Sequence, residues 1–69
     1  MTTTIGARIK SLREQRKLSQ EEVAEKFGFN DRQTLSAIET GDRKVAADEL
    51  LRATQIFGVS IDYFTDPFI

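Results

Sequence analysis

The stretch GFNDRQTLSAIETG, residues 28–41, spaces its few apolar side chains as a helix would. At about 100° per residue, Leu35 and Ile38 lie on one side of that helix. The opposite side carries small or uncharged polar residues, namely Gln33, Ser36, Ala37 and Thr40. Arg32 lies on the flank of this side, at the start of the helix. Because a solvated helix face usually carries Glu and Lys pairs and this face carries none, it favours contact with a polar, negatively charged partner.

The composition of the chain argues against several kinds of chemistry. Its 69 residues include no cysteine and no histidine, which removes the commonest metal ligands and the commonest general base. The acidic pairs Glu21–Glu22 and Asp48–Glu49 open predicted helices, where the helix dipole stabilises carboxylates. We therefore expect no enzyme, no metal, no cofactor and no small-molecule ligand.

Length and hydropathy indicate a small soluble domain. The chain fits one domain spanning residues 1–69, and no apolar run approaches the roughly 18 residues that a membrane span needs. The N-terminus lacks the features of a signal peptide, so we expect a cytoplasmic protein without membrane contact. Residues 1–44 hold nine Lys and Arg against seven Asp and Glu, a net +2, and residues 45–69 hold one against four, a net −3. Bulk charge alone therefore does not indicate nucleic acid.

Helical spacing recurs along the chain, and the alternation typical of strands is absent. The pattern predicts five short helices, at about Thr4 to Lys17, Ser19 to Gly28, Asn30 or Asp31 to Gly41, Ala47 to Phe57, and a last one capped by Ser60. The second helix has the best-defined start, because Ser19 and Glu22 can form a capping box. Leu18 and Val23 form a hydrophobic staple around the same start. Pro67 prevents extension of the last helix.

The apolar positions of these helices define a predicted core. They recur three and four residues apart, so that each helix turns one side inward. The predicted core residues are Ile5, Ile9, Leu12, Leu18, Val23, Ala24, Phe27, Leu35, Ile38, Leu50, Ala53, Phe57, Val59 and Phe64.

A capped helix, a turn containing Gly28 and a helix with a polar outer face form a helix-turn-helix pattern, in which the second helix enters the DNA major groove. The motifs LSQEEVA, IETG and FGVSIDYF complete the pattern. Over about residues 5–64 the chain resembles the Cro/C1-type helix-turn-helix domain of phage repressors and bacterial XRE-type regulators. The resemblance implies an all-α, five-helix, lambda-repressor-like domain with the motif at about residues 19–40. It also implies transcriptional control, as a repressor, through sequence-specific double-stranded DNA binding, usually as a homodimer on a near-palindromic operator.

The turn before the third helix departs from the family pattern. Family members usually have one residue fewer between the glycine matching Gly28 and the pair matching Ile38–Glu39. Counting back from Ile38 gives Arg32 and Gln33 the first two recognition positions, whereas counting forward from Gly28 gives them to Asp31 and Arg32. The first register is favoured, because it buries the apolar side of the helix and leaves Asp31 as a cap rather than aiming a carboxylate at DNA.

Four residues on the third helix are candidates for contact with base edges. Gln33 can bond adenine and Arg32 can bond guanine, each bidentately, although Arg32 could instead contact phosphate alone. Ser36 can bond either kind of base, and Ala37 can pack on a thymine methyl group. The competing interpretation is an inert polar surface.

Five residues are candidates for contact with the DNA backbone. Ser19 and Gln20 lie at the N-terminus of the second helix, where amides and dipole favour phosphate, and the resemblance assigns this role to Gln20. The loop after the third helix carries Thr40, Arg43 and Lys44, and in the family this loop lies along the backbone. A plain solvated turn is the alternative. Such contacts position a protein without specifying sequence.

Glu39 has a different position on the third helix from the DNA-facing residues. It falls toward the buried side, where a carboxylate needs a partner. The resemblance supplies Arg13, and we expect a partly buried ion pair that steadies the third helix and orients Arg13 toward phosphate. Arg16 is the rival partner.

Two further functions remain open from the sequence. The acidic last third and the apolar C-terminus, including Tyr63, Phe68 and Ile69, allow a dimer contact or an antitoxin-like module whose main task is to hold a protein partner. The chain could also be the N-terminal part of a longer regulator, since its motifs resemble repressor domains fused to ImmA/IrrE-type metallopeptidase-like domains.

Overall fold

Five helices account for most of residues 4–65, the part of the chain that the computed structural model describes. They are α1 (Ile5–Gln15), α2 (Gln20–Phe27), α3 (Arg32–Thr40), α4 (Ala47–Phe57) and α5 (Asp62–Thr65), and residues 4–65 contain no strand. The five predicted helices are confirmed. The predictions for Pro67, Phe68 and Ile69 concern residues outside the described range.

Side-chain caps and left-handed glycines set the ends of the helices. Ser19 Oγ accepts a hydrogen bond from the Glu22 N–H at 3.0 Å, and Glu22 Oε1 accepts one from the Ser19 N–H at 3.2 Å. The predicted capping box is therefore confirmed. Thr4 Oγ1 caps α1 by accepting from the Ala7 N–H at 3.1 Å. Left-handed glycines end α2, α3 and α4, at Gly28, Gly41 and Gly58.

The N-terminus of α4 lacks such a side-chain cap. Its cap position is Ala46, which has no side-chain acceptor, although its backbone is extended with φ −73° and ψ 159°. The Glu49 carboxylate compensates in part, because its Oε1 accepts from the Ala46 N–H at 2.9 Å. The first amides of the helix are left without a side-chain oxygen at the cap.

The core lies where α3 meets its neighbours. Helix α1 packs against α3 and α5, and α2 packs against α3 and α4. The buried apolar side chains all belong to the predicted core, namely Ile9, Leu12, Val23, Ala24, Phe27, Leu35, Ile38, Ala53, Phe57 and Phe64. The other predicted members are only partly buried against this cluster, namely Ile5, Leu18, Leu50 and Val59.

Two arginines, neither of them expected from the sequence, join distant helices through backbone carbonyls. Arg8 is buried in α1, and its Nη1 donates to the Tyr63 carbonyl in α5 at 2.9 Å. Arg52 Nη1 donates from α4 to the Phe27 carbonyl at 2.6 Å. The second bond places a cation at the C-terminal end of α2, where the exposed carbonyls favour positive charge.

Helices α1 and α3 approach each other closely at Gly6. A Cβ atom added to Gly6 would overlap the carbonyl oxygen of Ile38, which belongs to the α3 backbone. The side of α1 that faces α3 is thus limited to a hydrogen at this position. This contact was not predicted from the sequence, because a glycine near a helix start has many possible causes.

Replacing Gly6 with alanine should therefore destabilise the protein. In an exposed helix interior the same change usually stabilises by about 0.5–1 kcal/mol. Here the added methyl group must push α1 away from α3, and overpacking of this kind costs about 1–3 kcal/mol. Urea unfolding followed by circular dichroism measures the difference, with Lys10→Ala on the exposed side of α1 as the control. An unfolding free energy equal to or above that of the wild type would contradict the close approach.

Replacing Ala46 with serine should stabilise the start of α4. A serine oxygen at the cap can accept from an amide of the first turn, and such caps contribute about 0.5–2 kcal/mol. Thermal and urea unfolding should both show the gain. Ala47→Ser is the matched control, because it introduces the same hydroxyl one residue later, inside the helix. Equal effects of the two substitutions would rule out capping as the cause.

Candidate nucleic-acid interface

The start of α3 settles which residues occupy its first turn. Asp31 Oδ1 accepts from the Thr34 N–H at 3.1 Å and lies 3.2 Å from the Thr34 hydroxyl oxygen. Asp31 is thus the N-cap of the helix, and Arg32 and Gln33 are its first two residues. This is the register obtained by counting back from Ile38. The Asp31 carboxylate is directed at its own helix.

The turn between α2 and α3 packs an aromatic side chain against the end of α2. Gly28 is left-handed with φ 83°, and the next amide, from Phe29, donates to the Ala24 carbonyl at 2.9 Å. The Phe29 ring then stacks on the Phe27 ring, with centroids 5.1 Å apart and planes 5° apart. Asn30 and Asp31 remain exposed. The turn was predicted from the sequence, but the role of Phe29 was not.

The predicted outer face of α3 is turned away from the core. Leu35 and Ile38 are 0% and 1% exposed, whereas the opposite side is open to solvent. The side chains of Arg32 and Gln33 are exposed, and those of Ser36 and Ala37 are half-buried. Within residues 4–65, the side chains of Arg32 and Gln33 and the Ser36 hydroxyl make no hydrogen bond or ion pair. Their donors and acceptors are free for another molecule.

The inner side of α3 is held by a buried carboxylate. Arg13 donates from Nε to Glu39 Oε2 at 2.7 Å and from Nη2 to Oε1 at 3.1 Å. Its Nη1 donates to the Leu18 carbonyl at 3.0 Å. The side chains are only 12% and 2% exposed, and the hydrogen bond to Glu39 raises the pKa of Arg13. The rival partner, Arg16, instead lies over the Phe57 ring at 5.5 Å.

Gln20 joins the same cluster from the start of α2. Its Nε2 donates to Glu39 Oε1 at 3.0 Å. The side chain predicted to hold a phosphate therefore uses one amide hydrogen within the protein. Ser19, the neighbouring candidate, is exposed and uses its oxygen as the helix cap.

The loop after α3 folds back on the helix. The Arg43 N–H donates to the Ala37 carbonyl at 3.1 Å. Thr40 Oγ1 lies 3.2 Å from that same carbonyl and 3.0 Å from Asp42 Oδ2, so its single hydrogen is already used. Lys44 is exposed, and no ion pair within residues 4–65 involves it. The three predicted phosphate ligands of the loop thus differ in how free they are.

Arg43 is the least free of the three. Its Nη1 and Nη2 donate to the two carboxylate oxygens of Glu49, at 2.9 and 2.8 Å. Its guanidinium also lies 5.5 Å from the centroid of the Phe29 ring. The paired arginine lowers the pKa of Glu49, and the Ala46 amide acts in the same direction. This pairing was not predicted from the sequence, from which Arg43 was expected either to contact the DNA backbone or to lie in a plain solvated turn.

Among residues 4–65, no group of three or more Asp, Glu, His or Cys side chains is placed to hold a metal ion. No helix in that part of the chain has the length and apolar content required to cross a bilayer.

Comparison with known proteins agrees with this geometry. A family model described as helix-turn-helix matches residues 9–64, most of the chain. Searches of curated proteins and of solved structures found no significant match. The matched segment contains α2, the turn and α3, and the arrangement of the five helices is consistent with the lambda-repressor-like fold. The chain therefore belongs to the Cro/C1-type (XRE) helix-turn-helix family of DNA-binding regulators.

Proposed function

We propose that this protein is a transcriptional repressor that binds a near-palindromic operator in duplex DNA as a homodimer. The observation that carries the proposal is the outer face of α3, where Arg32, Gln33 and Ser36 are left without partners inside residues 4–65. A helix whose inner side is buried and whose outer side carries uncharged polar residues beside an arginine is suited to the major groove.

Base recognition is assigned to the first two turns of α3. The Gln33 amide offers a donor and an acceptor that match the N7 and N6 edge of adenine. The Arg32 guanidinium matches the O6 and N7 edge of guanine. Ser36 and Ala37 follow on the same face and are half-buried, which suits a hydroxyl contact to a base and an apolar contact to a thymine methyl group. These four residues would carry the sequence preference.

Backbone contacts are assigned to the two ends of the motif. Ser19 and Gln20 lie at the N-terminus of α2, where backbone amides attract phosphate. Thr40 ends α3, and Arg43 and Lys44 lie in the loop after it. Lys44 is the cation of this loop without an ion-pair partner in residues 4–65. Contacts of this kind dominate affinity and make it depend on salt.

A homodimer supplies the second recognition helix that one domain of residues 1–69 lacks. Two copies related by a twofold axis would read inverted half-sites on one side of the duplex. Apolar surface for such a contact is present at Leu51 and Ile61, whose side chains are 57% and 42% exposed. A cytoplasmic location follows from the same proposal, since the operator is on the chromosome or on a phage genome.

Selection of bound sequences from random duplex DNA tests the proposal directly. We expect enrichment of two inverted half-sites whose centres lie about 10 base pairs, one helical turn, or a multiple of it apart. Enrichment of a lone half-site would contradict the homodimer. No enrichment at all would contradict sequence-specific binding and favour a module that holds a protein partner.

Gln33→Ala should weaken operator binding by about 1–3 kcal/mol and relax the preference at one base position of each half-site. The substitution removes only the amide that would bond the base and leaves the buried side of α3 intact. Fluorescence anisotropy with the operator and with singly substituted operators measures both effects. Gln55→Ala, the same change on the exposed side of α4, is the control. An unchanged base preference in Gln33→Ala would remove Gln33 from the base-reading set.

A further inference from the structure

The two cations of the loop after α3, Arg43 and Lys44, differ in whether they already have an anionic partner. Lys44 is exposed and has no ion-pair partner in the described part of the chain. Arg43, next to it, has both terminal nitrogens occupied by Glu49. The two neighbouring side chains therefore do not offer the same charge to a DNA backbone.

Several contacts hold the Arg43–Glu49 pair in place. The carboxylate is fixed at the N-terminus of α4, because Glu49 Oε1 also accepts from the Ala46 N–H at 2.9 Å. The guanidinium is held from another direction by the Phe29 ring, 5.5 Å away. The Glu49 side chain is 13% exposed, whereas that of Arg43 is 40% exposed. The arginine is thus the partner that can leave, and the glutamate is the partner that stays.

We propose that Glu49 is an affinity-determining residue that competes with the DNA backbone for Arg43. In free protein the carboxylate occupies the two nitrogens that a phosphate would bind, so Arg43 must exchange one anion for another when the loop reaches DNA. This inference rests on the proposed function, because it concerns the strength of contact between the same loop and phosphate.

The contribution of Arg43 to DNA affinity depends on the bonds it gains with phosphate and the bonds it loses with Glu49. An exposed arginine that meets a phosphate releases counterions and forms charge-assisted, often bidentate bonds. An arginine that first has to leave a carboxylate gives up bonds of the same kind, and it leaves behind an uncompensated negative charge near the phosphate. Arg43 therefore contributes little net affinity while Glu49 is charged, and much more when that charge is removed.

The sharpest variant is Glu49→Gln. The amide oxygen can still accept from the Ala46 N–H, so the start of α4 is retained, while the anionic competitor is removed. Asp48→Asn is the matched control, because it deletes one negative charge at the neighbouring, exposed position of the same helix turn. Unfolding curves for both variants, recorded before binding is measured, verify that each is folded.

Operator affinity is then measured as a function of salt for the wild type, Glu49→Gln, Arg43→Gln and the double variant. We expect Glu49→Gln to bind about three- to ten-fold more tightly and to steepen the slope of log affinity against log salt by about one, as for one added phosphate contact. Arg43→Gln should change the wild type less than two-fold and should abolish the whole gain in the double variant, which is the coupling that a double-mutant cycle detects.

Two results would overturn the proposal. If Asp48→Asn tightens binding as much as Glu49→Gln does, the gain in affinity comes from the loss of one negative charge and not from competition for Arg43. If Glu49→Gln weakens binding, the glutamate orients Arg43 toward phosphate instead of withholding it. Lys44→Ala separates these outcomes from failure of the proposed function, because loss of affinity and of salt dependence in that variant reports phosphate contact by the same loop independently of Glu49.

Discussion

The position of α3 relative to α1 and α2 depends on the Glu39 carboxylate. This group is 2% exposed and would be strongly destabilising without compensation. Arg13 occupies both of its oxygens, and Gln20 donates to one of them. Glu39, Arg13 and Gln20 belong to α3, α1 and α2. The buried Glu39 charge therefore links α3 to both neighbouring helices. A shift of α3 relative to either neighbour would break at least one of these bonds.

The apolar contact between α3 and the rest of the protein is small, and the polar cluster of Glu39, Arg13 and Gln20 adds to it. Leu35 and Ile38 are the only large apolar side chains on the helix, and both are completely covered. The hydrogen of Gly6 allows the α1 backbone to approach Ile38 closely. Close backbone packing, two apolar anchors and a bidentate ion pair together hold a nine-residue helix. Because few residues of α3 form its packed inner side, the rest of its surface can carry polar side chains.

Sequence patterns predicted the features that depend on neighbouring residues and missed most of those that join distant ones. Helix ends followed from local chemistry, as at the Ser19–Glu22 capping box and at Gly28. The bonds from Arg8 to Tyr63 and from Arg43 to Glu49 were not predicted, because each depends on how two separate elements pack. Arg13 with Glu39 is the exception, since helical spacing placed the carboxylate inward and family resemblance supplied the arginine.

The turn between α2 and α3 affects more than the start of α3. It places the Phe29 ring between Phe27 in the core and the guanidinium of Arg43 in the loop. Arg43 in turn reaches Glu49 at the start of α4. Contacts therefore continue from Phe27 in the core, through Phe29 in the turn before α3, to Arg43 in the loop after α3. The turn before α3 therefore also helps to position the positive charge of the loop after it.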